Sequence, residues 1–291
     1  MSDWVLGVIG GSGLYEIEGL THGYWTKVDT PWGDPSDELL SGELDGLRLI
    51  FLPRHGRGHS LPPTAVNARA NIAALKRSGV TDVISLSAVG SLREELSPGT
   101  FVVVDQFIDR TFAREKSFFG AGLAAHVSMA YPVCPRLSEF VAEAAIEAGA
   151  SVVRGGTYIA MEGPQFSTKA ESELYRSWGC DVIGMTNMPE AKLAREAELP
   201  YASLAMVTDY DCWREETAHV DVGQIIAVLN ANADKARDLV ARMPAKLAGP
   251  RPPSPIDTAL DGAIITAPAA RDPAMIAKLQ IVAGRAFGQP S

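Results

Sequence analysis

The stretch YASLAMVTDYDCW, residues 201–213, passes from an apolar segment into two carboxylates that are one residue apart. Tyr201–Val207 has the length and composition of a buried β-strand, and Asp209 and Asp211 follow its carboxyl end. In open α/β sheets, ligands bind beyond the carboxyl ends of the strands. We therefore predict that the two acids face a ligand at this edge of a sheet.

The rest of the chain alternates between strand and helix patterns. The predicted strands are Trp4–Ile9, Leu47–Leu52, Val80–Ser87, Phe101–Val104, Tyr158–Met161 and Val182–Ile183. The predicted helices are Thr64–Arg77, Pro135–Ala148, one that starts at Thr168 with Glu171 in a capping box, and Val222–Met243. This alternation predicts an α/β fold of three layers, in which helices flank a mixed, twisted β-sheet.

A proline-rich segment, AGPRPPSP at residues 248–255, reads as a stiff linker. We predict a domain over residues 1–248 and a linker with a helical extension over residues 249–291. The second helix of the extension is predicted to have Asp272 as its N-cap and Pro273 at its first position. The extension is expected to pack on the domain or on a neighbouring subunit.

Composition excludes several classes of partner. The chain has 291 residues, 46% of them hydrophobic and 21% charged, and its net charge is −9. Such a charge repels nucleic acid and anionic membranes, so neither is expected as a partner. Three scattered cysteines are too few for a disulfide framework and are expected as buried thiols. With no apparent signal peptide or membrane span, the expected location is the cytoplasm.

Three donor-rich segments follow predicted strands: GGSG (10–13), RHGRGH (54–59) and SAVGS (87–91). They offer the hydroxyls of Ser12 and Ser87, a bidentate anion ligand in Arg54 and a second donor in His55. Together they indicate a site for inorganic phosphate, although each alone also fits a plain turn or a solvated loop. Position 16 is Glu, where a dinucleotide fingerprint needs glycine. We predict no metal, because His55 and His59 have no third ligand nearby.

Two further segments, EGPQF (162–166) and GMTNMPE (184–190), carry residues suited to a nucleoside. Glu162 can accept hydrogen bonds from sugar hydroxyls, and Phe166 offers a flat face to a base, although core packing is the alternative for Phe166. Met185 can line a sugar, and Thr186 adds a hydroxyl donor.

Several long motifs identify a resemblance. GVIGGSGLYEIEGL, RHGRGH, MEGPQFST, MTNMPEAKLAREAELPYA and MVTDYDCW resemble the purine nucleoside phosphorylase/methylthioadenosine phosphorylase family, in order over about residues 4–243. The resemblance implies the three-layer purine nucleoside phosphorylase-like fold and a homotrimer. It also implies phosphorolysis of S-methyl-5′-thioadenosine to adenine and 5-methylthioribose 1-phosphate, with inorganic phosphate as co-substrate and no cofactor.

The resemblance also implies a set of site residues. Those that hold phosphate would be Ser12, Arg54, His55, Ser87, Ala88 (through its amide) and Thr186. Met185 would contact the sugar and Phe166 the base. The 5′-methylthio group would lie among Val222, Ile225 and Ile226, with His59 nearby and with His126 contributed by a neighbouring subunit.

The paired acids are predicted to recognise and protonate the base. Asp209 would bridge N7 and the 6-amino group of adenine and donate a proton to N7, and Asp211 would accept from the amino group or keep Asp209 protonated. Two neighbouring acids resist joint ionisation, which raises the pKa of one of them. The alternatives are two solvated loop acids, a phosphorylase of 6-oxopurine nucleosides or methylthioinosine, and a nucleotide-binding module without catalysis.

Overall fold

A computed structural model describes residues 3–11, 13–214 and 222–288, including the side chains except at 222–226. Within these residues the chain forms eleven strands in one sheet and six α-helices. The strands are β1 (Val5–Gly10), β2 (Thr21–Thr26), β3 (Leu39–Leu44), β4 (Leu47–Pro53), β5 (Asp82–Ser91), β6 (Thr100–Val104), β7 (Gln106–Asp109), β8 (Ser151–Arg154), β9 (Thr157–Ala160), β10 (Val182–Gly184) and β11 (Tyr201–Tyr210). The helices are α1 (Ala68–Arg77), α2 (Pro135–Glu147), α3 (Lys169–Ser177), α4 (Asn187–Glu196), α5 (Val222–Lys246) and α6 (Pro273–Ala283).

The centre of the sheet is parallel. β1 pairs in parallel with β4 on one side and with β5 on the other, and β5 pairs in parallel with β11. The outer pairs are mixed, since β10 runs antiparallel to the end of β5, and β6 antiparallel to β11. The carboxyl ends of β1, β4, β5 and β11 therefore meet at one edge.

Helices cover both faces of this sheet. Buried side chains of α1, α4 and α6 share one hydrophobic core, and those of α2 and α5 share another. In β5, Val83 belongs to the first core and Ile84 to the second, because successive side chains of a strand point to opposite faces. The predicted three-layer α/β fold with a mixed sheet is confirmed.

Two central strands run further than their apolar patterns indicated. β5 continues past Ser87 to Ser91, and β11 continues past Val207 to Tyr210. Both extensions are held by pairing, with Gly90 opposite Asp209 on one side and opposite Ile183 on the other. Backbone pairing to neighbouring strands thus extends each strand into polar sequence, where composition alone predicts a loop.

The capping predictions are confirmed. Thr168 accepts a hydrogen bond from the Glu171 amide in a capping box, and Asp272 caps α6, with Pro273 as the first helical residue. Of the three cysteines, Cys134 and Cys180 are buried as expected, but Cys212 is exposed, because it lies beyond the end of β11.

The segment after residue 248 packs on the rest of the chain. Leu279 and Val282 of α6 lie in the same core as Ile72 of α1. Arg251 forms ion pairs with Asp82, which is fully buried, and with Asp257. We expected the extension to pack either on the domain or on a neighbouring subunit. Within one chain, it packs on the domain.

Over residues 3–11, 13–214 and 222–288, no helix combines the length and apolar character needed to cross a lipid bilayer. In the same ranges, no group of three or more His, Cys, Asp or Glu side chains has an arrangement that could hold a metal ion.

Candidate active site

A cavity of about 500 Å³ opens at the edge where the parallel strands end. The predicted site residues that line it are Arg54, His55, His59, Ser87, Ala88, Phe166, Met185, Thr186, Asp209 and Asp211. His126 is not among the lining residues and lies on the surface, with its amide bonded to the Ala263 carbonyl. Ser12 and the side chains of Val222, Ile225 and Ile226 lie outside the described residues.

Asp209, near the end of β11, and Asp211, just beyond it, both approach Gly90 of β5. A Cβ atom on Gly90 would lie 3.4 Å from Asp209 Oδ1 and 3.5 Å from Asp211 Cβ. Burial raises the pKa of both carboxyls, and the charge of Asp211 adds to the rise at Asp209. Asp211 Oδ2 is buried and has no hydrogen-bond partner among the described residues. The side chains of Ser172 and Ser167 lower the pKa of Asp211 but do not offset its burial, and Oδ2 can still accept from a ligand.

Arg54 is buried and bound to the protein on three sides. Its Nε donates to Glu190 Oε2 at 3.0 Å, and Nη1 donates to the Leu86 carbonyl at 2.9 Å. Nη2 has Ser85 Oγ, Glu190 Oε1 and the Ile9 carbonyl within hydrogen-bonding distance. A guanidinium has five N–H groups, so one on Nη1 is left. Arg54 can therefore give an anion one N–H in this arrangement, and not the bidentate contact that we expected.

His55 differs from its expected role as a donor. Its Nδ1 lies 2.9 Å from the Leu61 carbonyl, which can only accept, so the ring hydrogen is on Nδ1. Burial lowers the pKa of His55 to about 4, which keeps the ring neutral near pH 7 and leaves Nε2 as an acceptor. His59 stacks on this ring with 4.4 Å between centroids. In this form Nε2 would accept a hydrogen bond, as from the hydroxyl of a hydrogen phosphate ion.

Two hydroxyls meet in the lining of the cavity. Ser87 Oγ of β5 lies 3.1 Å from Thr186 Oγ1 and 3.4 Å from the hydroxyl of Tyr158. Thr186 is the N-cap residue of α4, yet its side chain makes no cap hydrogen bond. The backbone of Met188 is not helical (φ −119°, ψ 131°), so Thr186 precedes a kink in α4, and its hydroxyl is placed by the contact with Ser87.

Glu162 has a structural role in place of the predicted sugar contact. Its carboxylate accepts from the Phe112 and Ala113 amides at 2.6 and 3.1 Å, from Arg114 Nε at 2.9 Å and from Thr64 Oγ1 at 3.0 Å. Burial opposes ionisation, but these amide and guanidinium donors lower the pKa of Glu162 to about 2. Both oxygens are occupied, so the prediction of a free sugar ligand is wrong.

Phe166 lies at the mouth of the cavity and is 85% exposed. Core packing, the alternative considered for this ring, is therefore wrong. Met185 lines the cavity beside Gly163, where a Cβ atom would lie 2.5 Å from the Met185 sulfur. Glycine at 163 thus leaves room for the thioether.

Comparison with known proteins places the chain in a family. Residues 5–244 match the family model described as the Phosphorylase superfamily. The chain belongs to this superfamily. It is 65% identical to the S-methyl-5′-thioadenosine phosphorylase of Cereibacter sphaeroides, over 97% of this chain and 98% of that protein. It is 62% identical to the protein of that name from Rhodospirillum rubrum, over 98% of this chain and 97% of the relative.

Solved structures of this superfamily share the fold. A methylthioadenosine phosphorylase sourced from an antarctic soil metagenomic library has a TM-score of 0.92 and 45% identity, covering 97% of this chain and 99% of its own. The methylthioadenosine phosphorylase from Schistosoma mansoni in complex with adenine has a TM-score of 0.78 and 37% identity, covering 84% of this chain and 92% of its own. The predicted family and its fold are confirmed.

Sequence reasoning missed the roles of four residues that shape the site, among them Gly90, which it placed only in the anion-binding segment SAVGS. Glu190 and Ser85 hold the Arg54 guanidinium, Gly90 leaves space for the paired acids, and Thr208 contacts Asp209. Only Gly90 carried a usable signal, as a glycine inside a strand where another group approaches closely. The other three act through contacts between side chains far apart in sequence or through a local irregularity of β11.

Proposed function

We propose that this chain catalyses the phosphorolysis of S-methyl-5′-thioadenosine to adenine and 5-methylthioribose 1-phosphate. The observation that carries the proposal is the pair of acids, Asp209 half-buried and Asp211 buried, with raised pKa values, in one cavity with the hydroxyls and the guanidinium suited to an anion. The names of the relatives that are 65% and 62% identical support the same activity. Enzymes of this superfamily use phosphate as a co-substrate.

The acids would recognise and release the base. As the C1′–N9 bond breaks, its electron pair moves to the purine, and a proton from Asp209 reaches N7. Asp211 Oδ2, which is buried and makes no hydrogen bond among the described residues, would accept from the 6-amino group. A 6-oxopurine presents an oxygen at that place, so the same acceptor would oppose it. The raised pKa of Asp209 favours the protonated form that this step needs.

Phosphate would bind among the hydroxyls and basic side chains that line the same cavity. The hydroxyls of Ser87 and Thr186, the Ala88 amide and one N–H of Arg54 would donate to it, while His55 Nε2 would accept from its hydroxyl. Its oxygen would attack C1′ as the base leaves. The role of Ser12 stays a prediction, as do those of Met185 beside the sugar and Phe166 beside the base.

The 5′-methylthio group would lie against α5. Leu229 and Ala233 of this helix line the cavity, and Leu229 is one helical turn beyond Ile225 and Ile226. This placement supports the proposed apolar pocket of Val222, Ile225 and Ile226, with His59 at its rim.

A homotrimer is proposed as the assembly. Phe166 and Phe112 are 85% and 82% exposed, and His126 is exposed as well. Exposed aromatic side chains are common at interfaces, which is consistent with a neighbouring subunit that supplies His126. Light scattering of the purified chain tests the assembly, and a mass of one chain would contradict it. The cytoplasmic location stays a prediction.

The decisive experiment measures release of free base with and without phosphate. We expect adenine release from methylthioadenosine that requires phosphate and yields 5-methylthioribose 1-phosphate, with much slower turnover of inosine and methylthioinosine. Base release that ignores phosphate would rule out a phosphorylase. Faster use of inosine or methylthioinosine would assign the chain to 6-oxopurine substrates, and binding without turnover would indicate a nucleotide-binding module.

A further inference from the structure

The backbone of β11 is irregular where it enters the cavity. Its register with β5 shifts between Val207 and Asp209, so Thr208 is an extra residue of a β-bulge. On a regular strand, neighbouring side chains point to opposite faces. Here Thr208 and Asp209 both line the cavity, and Thr208 Oγ1 lies 2.7 Å from Asp209 Oδ2. The bulge therefore brings a hydroxyl to one oxygen of the acid.

The Thr208 hydroxyl has one hydrogen and two acceptors. Besides Asp209 Oδ2, the Val89 carbonyl lies 3.1 Å from Thr208 Oγ1. Hydrogen bonds to a charged acceptor are about twice as strong as those between neutral groups. The carbonyl thus competes well when Asp209 is neutral, whereas the carboxylate prevails once Asp209 is ionised. Asp209 Oδ1 has no hydrogen-bond partner among the described residues and is free to face a ligand.

We propose that Thr208 is a positioning residue that stabilises Asp209 as it loses its proton; this inference rests on the proposed function, in which Asp209 protonates the base. The proton leaves Asp209 Oδ1 for N7 while the C1′–N9 electron pair moves to the purine. The Thr208 hydrogen then turns from the Val89 carbonyl to Oδ2. Thr208 transfers no atom in this step. Its hydroxyl donates a hydrogen bond to the Asp209 carboxylate, where negative charge develops.

Other charged groups do not supply this donor. Besides Asp211 itself, Arg54, His55 and His59 from the loop after β4 line the same cavity, and Glu171 and Tyr175 of α3 and Cys212 interact with Asp211. Arg54 is paired with Glu190, and His55 is neutral near pH 7. Within the described part of the chain, Thr208 is the only residue that donates a hydrogen bond to the Asp209 carboxylate.

The test compares Thr208→Val, which removes the hydroxyl at nearly constant volume, with Thr208→Ser, which keeps it. Thr100→Val is the matched control, because Thr100 is also buried and lies on β6, which pairs with β11, but does not line the cavity. The readouts are kcat for methylthioadenosine at saturating phosphate and the pH profile of kcat/KM for the nucleoside. The ionisation of phosphate contributes equally to every variant, so a difference between profiles reports on the protein.

We expect Thr208→Val to lower kcat roughly ten- to a hundredfold, the range for loss of a hydrogen bond to a charged group. The lost bond stabilised the ionised acid, so the pKa of Asp209 rises and the alkaline limb of the profile moves to higher pH. Thr208→Ser should restore most of kcat, and Thr100→Val should change neither readout.

A Thr208→Val variant with unchanged kcat and an unshifted limb would overturn the inference. If that variant does not fold, Thr208→Ser and Thr208→Ala, which differ by one oxygen, replace it, and equal kcat values in this pair would overturn it as well. Asp209→Asn separates the two proposals. Loss of activity in Asp209→Asn with a normal Thr208→Val leaves the proposed function intact, whereas a fully active Asp209→Asn removes the basis of both.

Discussion

Arg54 and Glu190 form a buried ion pair, with 3.0 Å between Nε and Oε2 and with each side chain only 3% exposed. The hydroxyls of Ser85 and Tyr201 also donate to the Glu190 carboxylate, at 2.6 and 2.8 Å. The guanidinium is therefore fixed by a network on α4, β5 and β11 before any anion binds. Arg54, which the sequence predicted as a phosphate ligand, is therefore also part of the folded core.

Removing Arg54 should affect stability as well as phosphate binding. Arg54→Ala leaves the buried Glu190 carboxylate without an opposite charge, which typically costs about 3–5 kcal/mol of unfolding free energy. Arg54→Met with Glu190→Leu removes both charges and should recover much of that loss. In this double variant we expect the KM for phosphate to rise far more than the KM for nucleoside. Urea unfolding and steady-state kinetics measure the two effects.

The exposed pair of Arg154 and Glu139, 48% and 52% exposed, supplies a control. Arg154→Ala should leave the unfolding midpoint and both KM values unchanged, because exposed ion pairs contribute little. A double variant with a normal KM for phosphate would show that Arg54 serves the fold alone.

Stability should fall as the pH rises through the range in which Glu196 ionises. Burial raises the pKa of Glu196 to about 7, although the Phe118 amide and Ser117 hydroxyl donate to it. The folded chain thus holds the proton more tightly than the unfolded chain, where the pKa has its ordinary value of 4.5. The stabilisation is complete below about pH 4.5 and is lost as the pH rises to about 7.

Glu196→Gln keeps the acceptor for the Phe118 amide and removes this ionisation. We expect its unfolding free energy, relative to the unsubstituted protein, to increase by up to about 3 kcal/mol between pH 5 and pH 8. Urea unfolding at the two pH values measures the change, with Glu139→Gln as an exposed control. An equal difference at both pH values would contradict an elevated pKa at Glu196.

A side chain at position 90 should disturb recognition of the base. In Gly90→Ala the new methyl group would lie 3.1 Å from Ile183 Cγ2 and 3.4 Å from Asp209 Oδ1. A displacement of the carboxylate by a few tenths of an ångström should lower kcat/KM for the nucleoside about tenfold or more, with the KM for phosphate unchanged. Gly120→Ala, which has no atom within 4 Å of its new methyl, is the control. Equal losses in both variants would mean that the space over Gly90 is not needed.

The sequence predicted the layers, the central strands and most of the cavity, because these depend on local periodicity and on where strands end. β11 and the two acids at its end are one example. An apolar run followed by carboxylates can be recognised from the local sequence, without knowing which strands pair with it. Glu162 shows the limit: Arg114 and the Phe112 amide, which occupy its oxygens, are 48 and 50 residues away. The sequence near Glu162 therefore could not show that its carboxylate is already hydrogen-bonded.

β2 was missed for a related reason. Residues Thr21–Thr26 are largely exposed at the sheet edge and lack an apolar pattern, so pairing with β3 defines the strand. The β-bulge at Thr208 likewise follows from pairing with β5 and has no signature in composition. Features set by tertiary pairing are those that the sequence did not predict.

Asp209 and Asp211 should have separable roles. Asp209→Asn removes the proton donor and should lower turnover of methylthioadenosine by orders of magnitude, while its amide can donate to O6 and admit some 6-oxopurine activity. Asp211→Asn keeps one acceptor oxygen and should act mainly on base selectivity. The kcat/KM values of both variants for methylthioadenosine and methylthioinosine test this. If Asp209→Asn keeps near-normal activity on methylthioadenosine and still rejects methylthioinosine, the buried acids do not read the base, and recognition must come from another wall of the cavity.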